Sequence, residues 1–325
     1  MAIVATMEVM DPGPLCTVQD LGRYGFGRYG VPPSGALDSF ALRAANILVG
    51  NRECEAGLEI TLMGLKIKAL TGVVVAIGGG DLQPAINGKS IETWRSYGMR
   101  KGDFLHFKSP KNGCRAYLAV GGGILVQSVL GSRSTNLSSR FGGYEGTPLK
   151  KKDVLSSDSP ETHVKFDGSA LPPEWRPLYG KDWVLRVLWG PQDMDFPEKS
   201  REAFLDSPFK VSPQSDRTGI RLSGHLIHRR PSLGESIISE GVAPGTIQVP
   251  GDGQPIIILS ETITGGYRKI ATVIGADLPF LGQIKPGDQV RFDPVDLDCA
   301  LGAIEQLEET FRRLRERISA EFPMT

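Results

Sequence analysis

The sequence predicts a mainly β fold, built from two related domains and completed by a C-terminal α-helix. Three observations support this prediction. The 325 residues include 40 glycines and 23 prolines, and such a density of turn formers is typical of short strands joined by tight turns. Short motifs recur in the same order in the two halves of the chain. Residues 296–325 instead carry apolar side chains at helical spacing, which predicts an amphipathic helix.

The predicted strands are short segments that are rich in β-branched residues or alternate in polarity, and turn residues bound them. They are Ile3–Met10, Gly57–Leu62, Leu65–Leu70, Val73–Gly78, Phe104–Phe107, Cys114–Val120, Val184–Leu188, Ile247–Val249, Pro255–Ser260, Ala271–Ile274 and Gln289–Phe292. Because these segments are spread along both halves of the chain, both domains are expected to be β-rich.

Helical spacing is confined to three places. The segment Ser39–Leu48 follows Asp38, a plausible N-cap, and is followed by Gly50, a residue typical of helix C-termini. A second short helix is predicted at Glu198–Leu205, with Pro197 in its tolerated first turn. The third carries its apolar residues three and four apart, at Leu297, Ala300, Ile304, Leu307, Phe311, Leu314 and Ile318. This apolar stripe packs either on the protein's own sheet or on a partner.

The recurring motifs indicate an internal duplication. Four pairs of matches lie 177, 180, 182 and 185 residues apart and in the same order; one of them joins the Gly-Asp turns at 102–103 and 287–288. A related turn, Lys152–Asp153, closes the first copy. We therefore predict two homologous domains with a pseudo-twofold relation, at residues 1–155 and 183–295. Residues 156–182 are the predicted linker, residues 296–325 form the helix, and a ligand is expected between the domains.

Composition and charge exclude several functions. Lys and Arg number 37, as do Asp and Glu, so the chain has no electrostatic signature of nucleic-acid binding. No apolar run approaches the roughly 18 residues of a membrane span, and the N-terminus lacks the pattern of an export signal. We expect a cytoplasmic protein. His225 and His228 lie on a predicted strand edge and no CxxC pair occurs, so no metal site is predicted.

Four loops dense in polar groups are candidates for a functional site. They contain Gln19, Arg23, Ser34 and Asp38 in the first domain, and Gln214, Asp216, Arg217, Tyr267 and Lys269 in the second. Taken alone, each loop is equally well explained as a capped turn with a local Asp/Arg pair. Taken together, loops from both domains are expected to line one cleft.

Six motifs give the chain a resemblance to a known family. They are VQDLGR at 18–23, GVPPSGALD at 30–38, GLEIT at 57–61, GSRST at 131–135, SPQSDRTGIRL at 212–222 and GGYRKIATVI at 265–274. On these motifs the chain resembles the biotin-dependent carboxyltransferase family, also called allophanate hydrolase subunit 2-related, which includes KipA and the C subunit of 5-oxoprolinase. The resemblance covers about residues 7–295, and it implies a fold of two tandem cyclophilin-like β-barrels.

The resemblance implies that the chain is the C subunit of an ATP-dependent 5-oxoprolinase complex. With proteins similar to the A and B subunits, such a complex hydrolyses the lactam of 5-oxo-L-proline to L-glutamate. The chain itself is expected to bind no cofactor, and ATP is expected on a partner, because no Walker-type loop occurs in this sequence.

Two alternatives stay open. In the first, the chain is the carboxyltransferase component of a biotin-dependent urea carboxylase or amidolyase-like system, although it has no Met-Lys dipeptide of a biotin acceptor. In the second, the chain is a non-catalytic, KipA-like antagonist that binds a kinase inhibitor similar to the B subunit.

Lactam hydrolysis needs an activated carbonyl, a base or an oriented water, and cations that hold the substrate carboxylate. The candidate catalytic residues are Asp216, Lys269 and Asp38, and the candidate substrate-binding residues are Gln19, Arg23, Ser34, Gln214, Arg217 and Tyr267. A carboxyltransferase needs nearly the same set, so these residues do not separate the two activities.

Overall fold

The fold is mainly β and ends in a long C-terminal helix, as the sequence predicts. The structure is a computed structural model that describes residues 2–322. The chain divides into two units. Unit 1 comprises the residues up to Arg23, Ser34–Tyr179 and the residues from Glu308 onward, and unit 2 comprises Tyr24–Pro33 and Gly180–Leu307.

Besides the last part of the C-terminal helix, the described residues of unit 1 form eleven strands and one α-helix. They are β1 (Ile3–Pro12), β2 (Leu15–Gln19), α1 (Ser39–Leu48), β3 (Gly57–Thr61), β4 (Leu65–Ala69), β5 (Val73–Gly79), β6 (Pro84–Ile86), β7 (Lys89–Ser90), β8 (Arg95–Met99), β9 (Phe104–Phe107), β10 (Arg115–Val120) and β11 (Val154–Asp158). They form a six-stranded sheet in the order β11-β1-β4-β9-β6-β7 and a five-stranded sheet in the order β2-β3-β10-β5-β8. One apolar cluster with contributions from both sheets, including Val9, Ile67, Leu58 and Leu118, forms the core.

Unit 1 is built from two antiparallel ladders that share one apolar core, so it is mainly β, as the sequence and the resemblance imply. The outer strands are β11 and β7 in one sheet and β2 and β8 in the other, and beyond β8 its residue Arg95 forms an isolated antiparallel bridge with Ala170.

Local chemistry sets both ends of α1. The backbone N–H of Ala41 donates to Oδ1 of Asp38 (2.9 Å), which confirms the predicted N-cap. Gly50 has φ +72° and donates its N–H to the carbonyl of Ile47 (3.0 Å). A Cβ at this glycine would overlap the ring of Phe166, so both the backbone conformation and the packing require glycine here.

Most of the predicted linker, residues 156–182, belongs to unit 1, which extends to Tyr179. Its first residues belong to β11, which pairs with β1, and the Ser157 and Thr6 hydroxyls are hydrogen-bonded to each other (3.1 Å) in the interior. A 3₁₀ helix follows at Pro160–Phe166, and the phenylalanine is buried. Polar composition suggested a linker, and hydrogen bonds within the unit engage several of its polar groups, such as the Ser159 and Ser169 hydroxyls, which donate to Asp158 and to the Phe166 carbonyl.

Unit 2 contains a closed barrel. Its elements are β12 (Asp182–Trp189), α2 (Glu198–Asp206), β13 (Phe209–Val211), β14 (Gly219–Ser223), β15 (Glu240–Gly241), β16 (Thr246–Val249), β17 (Ile256–Ile258), β18 (Thr264–Gly265), β19 (Arg268–Val273) and β20 (Gln289–Pro294). The barrel order is β12-β19-β16-β17-β14-β13-β20, closed by the parallel pair β12 and β20, while β15 and β18 form a separate two-stranded ribbon. The buried rings of Phe204, on α2, and Phe292, on β20, stack with their centroids 4.4 Å apart.

The C-terminal helix, α3 (Leu297–Glu321), packs on its own chain along part of its predicted stripe. In unit 1, Phe311, Leu314 and Ile318 are buried, and the Phe311 and Phe40 ring centroids lie 4.9 Å apart. In unit 2, Leu297 and Ile304 of the stripe are exposed, whereas Ala300 is buried in a small cluster with Ile274. Among the described residues, no helix has both the length and the apolar character that a bilayer crossing requires.

Three turns in the chain share one geometry. In each, an aspartate carboxylate accepts from the backbone N–H three residues earlier, at distances of 2.7 Å for Asp103, 2.7 Å for Asp153 and 3.1 Å for Asp288. The residue before the aspartate is left-handed in all three turns, with φ of +96° at Gly102, +76° at Lys152 and +92° at Gly287. The turns that the sequence matches across the two halves thus have the same conformation.

Candidate functional site

Three of the four candidate residues in unit 1 contact one buried segment, residues 132–136. Nε2 of Gln19 donates to the carbonyl of Thr135 (3.2 Å), and the guanidinium of Arg23 donates to the carbonyl of Ser134. Nδ2 of Asn136 donates to Oγ of Ser34 (2.9 Å). Residues distant in sequence are thereby gathered on a common scaffold that contains most of the GSRST motif.

Asp20 holds this scaffold in place. Its Oδ1 accepts from the hydroxyls of Ser132 (2.6 Å) and Ser134, and its Oδ2 accepts from the backbone N–H of Arg133 (2.5 Å). The carboxylate is buried, so these charge-assisted hydrogen bonds stabilise its charge. Asp20 was not among the predicted site residues, although the serines of the GSRST motif were a signal for a carboxylate partner.

A cleft of about 460 Å³ lies in unit 1 beside this scaffold, lined by Gln127, Val129 and the loop 140–146 among others. The loop packs tightly on the scaffold, because a Cβ at Gly142 would overlap the Ser134 carbonyl and one at Gly143 would overlap the Thr135 side chain. Both glycines have positive φ. The cleft wall is therefore fixed by the same segment that orders Gln19 and Arg23.

Asp38 belongs to a closed interior network. Its Oδ2 accepts from the phenol of Tyr179 (2.7 Å), and its backbone N–H donates to the phenol oxygen of Tyr117 (2.8 Å), which in turn donates to Oε2 of Glu59 (2.8 Å). Burial and the nearby carboxylates raise the pKa of the Tyr117 and Tyr179 phenols well above their usual value. With no exposed surface and its other oxygen capping α1, Asp38 has the surroundings of a structural residue.

In unit 2, Lys269 takes part in a carboxylate-binding arrangement. Its Nζ lies 3.2 Å from Oε2 of Glu240, and Nε2 of Gln192 donates to Oε1 of the same carboxylate (3.2 Å). The Lys269 side chain is 7% exposed, whereas that of Glu240 is 47% exposed. One buried ammonium and one amide thus each contact one oxygen of a half-exposed carboxylate.

The backbone fixes Gln192 beside Lys269. Oε1 of Gln192 accepts from the backbone N–H of Lys269 (3.1 Å), and the backbone N–H of Gln192 donates to the Lys269 carbonyl (3.3 Å). Gly190 permits this approach, since a Cβ there would overlap the same carbonyl. On the other side, Gln248 pairs with Lys269 across β16 and β19 and is also buried.

Arg217 and Asp216 have different surroundings, although they are adjacent in sequence. Nε of Arg217 lies 3.3 Å from Oε1 of Glu261, and both side chains are buried. Asp216 is exposed, and its Oδ1 accepts from the backbone N–H groups of Thr218 (2.7 Å) and Gly219 (3.2 Å). This is the capped turn that we gave as the alternative explanation of such a loop.

The structure thus places the candidate residues in several environments. Gln214 and Tyr267 are exposed, Lys269 is buried beside Gln192, and Arg217 is engaged by Glu261. Sequence reasoning missed Gln192, Glu240 and Glu261. The Gly-Pro motif directly before Gln192 was the available signal, since it marked a matched turn. Within residues 2–322, no three His, Cys, Asp or Glu side chains are grouped so as to hold a metal ion.

Comparison with known proteins gives a consistent result. The family model described as "Carboxyltransferase domain, subdomain A and B" matches residues 29–294. The chain is 38% identical over 316 residues to the C subunit of 5-oxoprolinase from Escherichia coli, which covers 97% of this chain and 99% of that protein. It is also 38% identical over 328 residues to the urea amidolyase of Lachancea kluyveri, covering 93% of this chain but 18% of that protein.

A solved structure agrees with these sequence matches. The K. lactis urea amidolyase superposes with a TM-score of 0.91 at 35% identity, over 97% of this chain and 20% of that one. The chain therefore spans about a fifth of the urea amidolyases that it matches. Since the family model covers most of the sequence and the relatives match nearly all of it, the chain belongs to the family of carboxyltransferase domains with subdomains A and B.

Proposed function

We propose that this chain acts as the C subunit of an ATP-dependent 5-oxoprolinase complex. The observation that carries the proposal is the match to the corresponding E. coli protein, which covers both chains almost completely. In the proposed reaction, water adds to the lactam carbonyl of 5-oxo-L-proline, the ring C–N bond breaks, and the nitrogen takes up a proton to give L-glutamate. Proteins similar to the A and B subunits of such a complex are the proposed partners, and ATP is proposed to bind on one of them.

Within this chain, Lys269 and Gln192 are the strongest candidates for holding the substrate carboxylate. They already hold the carboxylate of Glu240, and a buried ammonium is a stronger anion ligand than one in water. Asp216 is exposed, and we propose that it orients water or moves a proton. For Asp38 we propose a positioning role through α1.

Coexpression with homologues of the A and B subunits tests this function. We expect a complex that releases glutamate from 5-oxo-L-proline and consumes ATP, and the Lys269→Met variant should bind its partners but turn over poorly. A matched control is Lys210→Met, in β13, whose side chain is exposed. A stable wild-type complex that never releases glutamate would contradict the proposal and favour a regulatory binding protein.

A carboxyltransferase activity is the second candidate, and the TM-score of 0.91 with the K. lactis urea amidolyase favours it. Carboxybiotin supplies a carboxyl group in such a reaction. The donor pair of Lys269 and Gln192 fits a carboxylate of that kind as well as one on a free substrate, because it contacts both oxygens of Glu240. Product formation that requires bicarbonate and a biotinylated carrier, with urea as acceptor, would select this activity over lactam hydrolysis.

A further inference from the structure

We propose that Glu240 is an internal ligand that occupies a monocarboxylate-binding site formed by Lys269 and Gln192, and that a small carboxylate ligand displaces it. In identifying that ligand as 5-oxo-L-proline, the inference rests on the proposed function. The site itself rests on the geometry of unit 2, within which all three residues lie.

The two donors are arranged for the two oxygens of one carboxylate. Nζ of Lys269 faces Oε2 and Nε2 of Gln192 faces Oε1, both at 3.2 Å. Neither donor is free to rearrange, because Lys269 is buried in β19 and the Gln192 amide accepts from the Lys269 backbone N–H. Preorganised donors of this kind bind an anion with little further loss of conformational entropy.

The carboxylate, in contrast, is on an exposed element. Glu240 begins the two-residue strand β15, whose partner is the two-residue strand β18. Ile238, two residues earlier, is 91% exposed. The following residue, Gly241, lines an open cleft of about 580 Å³ together with Thr264, so free volume lies beside the ribbon. An ion pair with one half-exposed partner contributes little to stability, and displacing Glu240 therefore costs little.

Loss of the ion pair is more unfavourable for the buried ammonium of Lys269 than for the half-exposed carboxylate of Glu240. Within residues 2–322, the ammonium has no well-aligned hydrogen-bond acceptor, and its ion pair is with Glu240 alone. A buried ammonium without a counter-charge is strongly unfavourable. A ligand carboxylate can approach both donors directly and without the constraint of the ribbon, so it can replace Glu240 and satisfy the ammonium better.

Binding measurements on the full chain test the proposal. The probes are 5-oxo-L-proline, acetate as a minimal carboxylate, and 2-pyrrolidone, which has the lactam ring without the carboxylate. We expect Glu240→Gln to bind the two carboxylates about five- to tenfold more tightly than the wild type, as removal of a competing surface ion pair suggests. Its affinity for 2-pyrrolidone should not change.

Two controls make the result specific. Glu235→Gln removes a carboxylate from the same exposed region, where it pairs with Arg229 and not with Lys269, and it should bind like the wild type. Adding Lys269→Met to Glu240→Gln should abolish the gain, and Gln192→Ala should reduce it if the lysine variant does not fold. Equal affinity of the wild type and Glu240→Gln for both carboxylates, or an equal gain for 2-pyrrolidone, would overturn the proposal.

The assembled complex separates this inference from the proposed function. If the complex turns over 5-oxo-L-proline and Glu240→Gln lowers its KM, both hold. If turnover occurs with an unchanged KM in Glu240→Gln, the internal-ligand proposal fails and the function stands. If no turnover occurs while Glu240→Gln gains affinity for acetate, the carboxylate site stands and the 5-oxoprolinase proposal fails.

Discussion

The phenol of Tyr179 donates a hydrogen bond of 2.7 Å to Oδ2 of Asp38, whose other carboxylate oxygen caps the first turn of α1. Tyr179 is the last residue of the segment Ser34–Tyr179 of unit 1, and this hydrogen bond connects it to the start of α1. Asp38 is fully buried, so this hydrogen bond stabilises a charge that water cannot reach.

The Tyr179→Phe variant is expected to be less stable than the wild type. It removes the hydroxyl and leaves one side of a buried carboxylate without its donor, which costs about 1–3 kcal/mol in the free energy of unfolding. Urea denaturation measures the change. Tyr29→Phe, at a position that is 65% exposed, is the control and should differ little from the wild type. Equal stability of the two variants would show that the hydrogen bond contributes nothing.

Stability should also fall at alkaline pH. Burial, followed by the charges of Glu59 and Asp38, raises the pKa of Tyr117 well above its usual value, and burial with Asp38 does so for Tyr179. A pKa raised by folding contributes stability that is complete below the unfolded tyrosine pKa of about 10 and is lost as pH rises toward the folded pKa. The free energy of unfolding, measured from pH 8 to 11, should show this loss, and it should fall less steeply with pH in Tyr179→Phe than in the wild type. Parallel slopes would contradict it.

Replacing Lys152 with glycine is expected to stabilise unit 1. Lys152 has φ +76° in a turn whose counterparts have glycine at this position. A side chain in the left-handed region costs roughly 1–2 kcal/mol, and the added freedom of glycine in the unfolded chain offsets part of the gain. We expect a net gain of about 0.5–1 kcal/mol in thermal or urea unfolding. Lys151→Gly, at the neighbouring exposed lysine without positive φ, should destabilise instead.

How far the sequence could predict the structure depends on how local the determining contacts are. Helix α1 was predicted with both of its bounds, because Asp38 caps its start and Gly50 follows its end, each through contacts within a few residues. Strand β9 was also predicted with its bounds, and it directly follows a local turn in which the N–H of Arg100 donates to Asp103. Strand β13 (Phe209–Val211) was missed, since three residues carry no periodicity and pairing with β14 and β20 determines the strand.

The candidate site shows the same limit. Lys269 was predicted from a polar loop, but Gln192 and Glu240 come from separate parts of unit 2 and only the fold places them beside it. Asp38 was predicted to be both an N-cap and a catalytic carboxylate. The structure confirms the N-cap, while the partners Tyr179 and Tyr117 lie too far along the chain for local reasoning to find.

The two halves of α3 should respond differently to truncation of apolar side chains. Phe311 is fully buried, with its ring against Phe40 and the Arg43 guanidinium. Phe311→Ala should lower the free energy of unfolding by about 3–5 kcal/mol. Leu297, the first residue of the stripe, is 60% exposed, and Leu297→Ala should change the free energy of unfolding by less than about 0.5 kcal/mol. Similar losses in both variants would show that the start of the stripe, at Leu297, is also covered in solution.

The buried pair of Arg217 and Glu261 distinguishes a structural from a ligand-binding arginine. The sequence predicted anion binding by Arg217, and the structure gives it Glu261 at 3.3 Å, with both side chains buried. If the pair is structural, Arg217→Met removes the counter-charge of a buried carboxylate and costs about 3–5 kcal/mol of stability. Adding Glu261→Gln should then restore much of that loss, because the remaining charge is gone; a double-mutant cycle in urea measures the coupling. If Arg217 serves mainly to bind a ligand, Arg217→Met should unfold like the wild type while its affinity for 5-oxo-L-proline falls, and Glu261→Gln should rescue nothing.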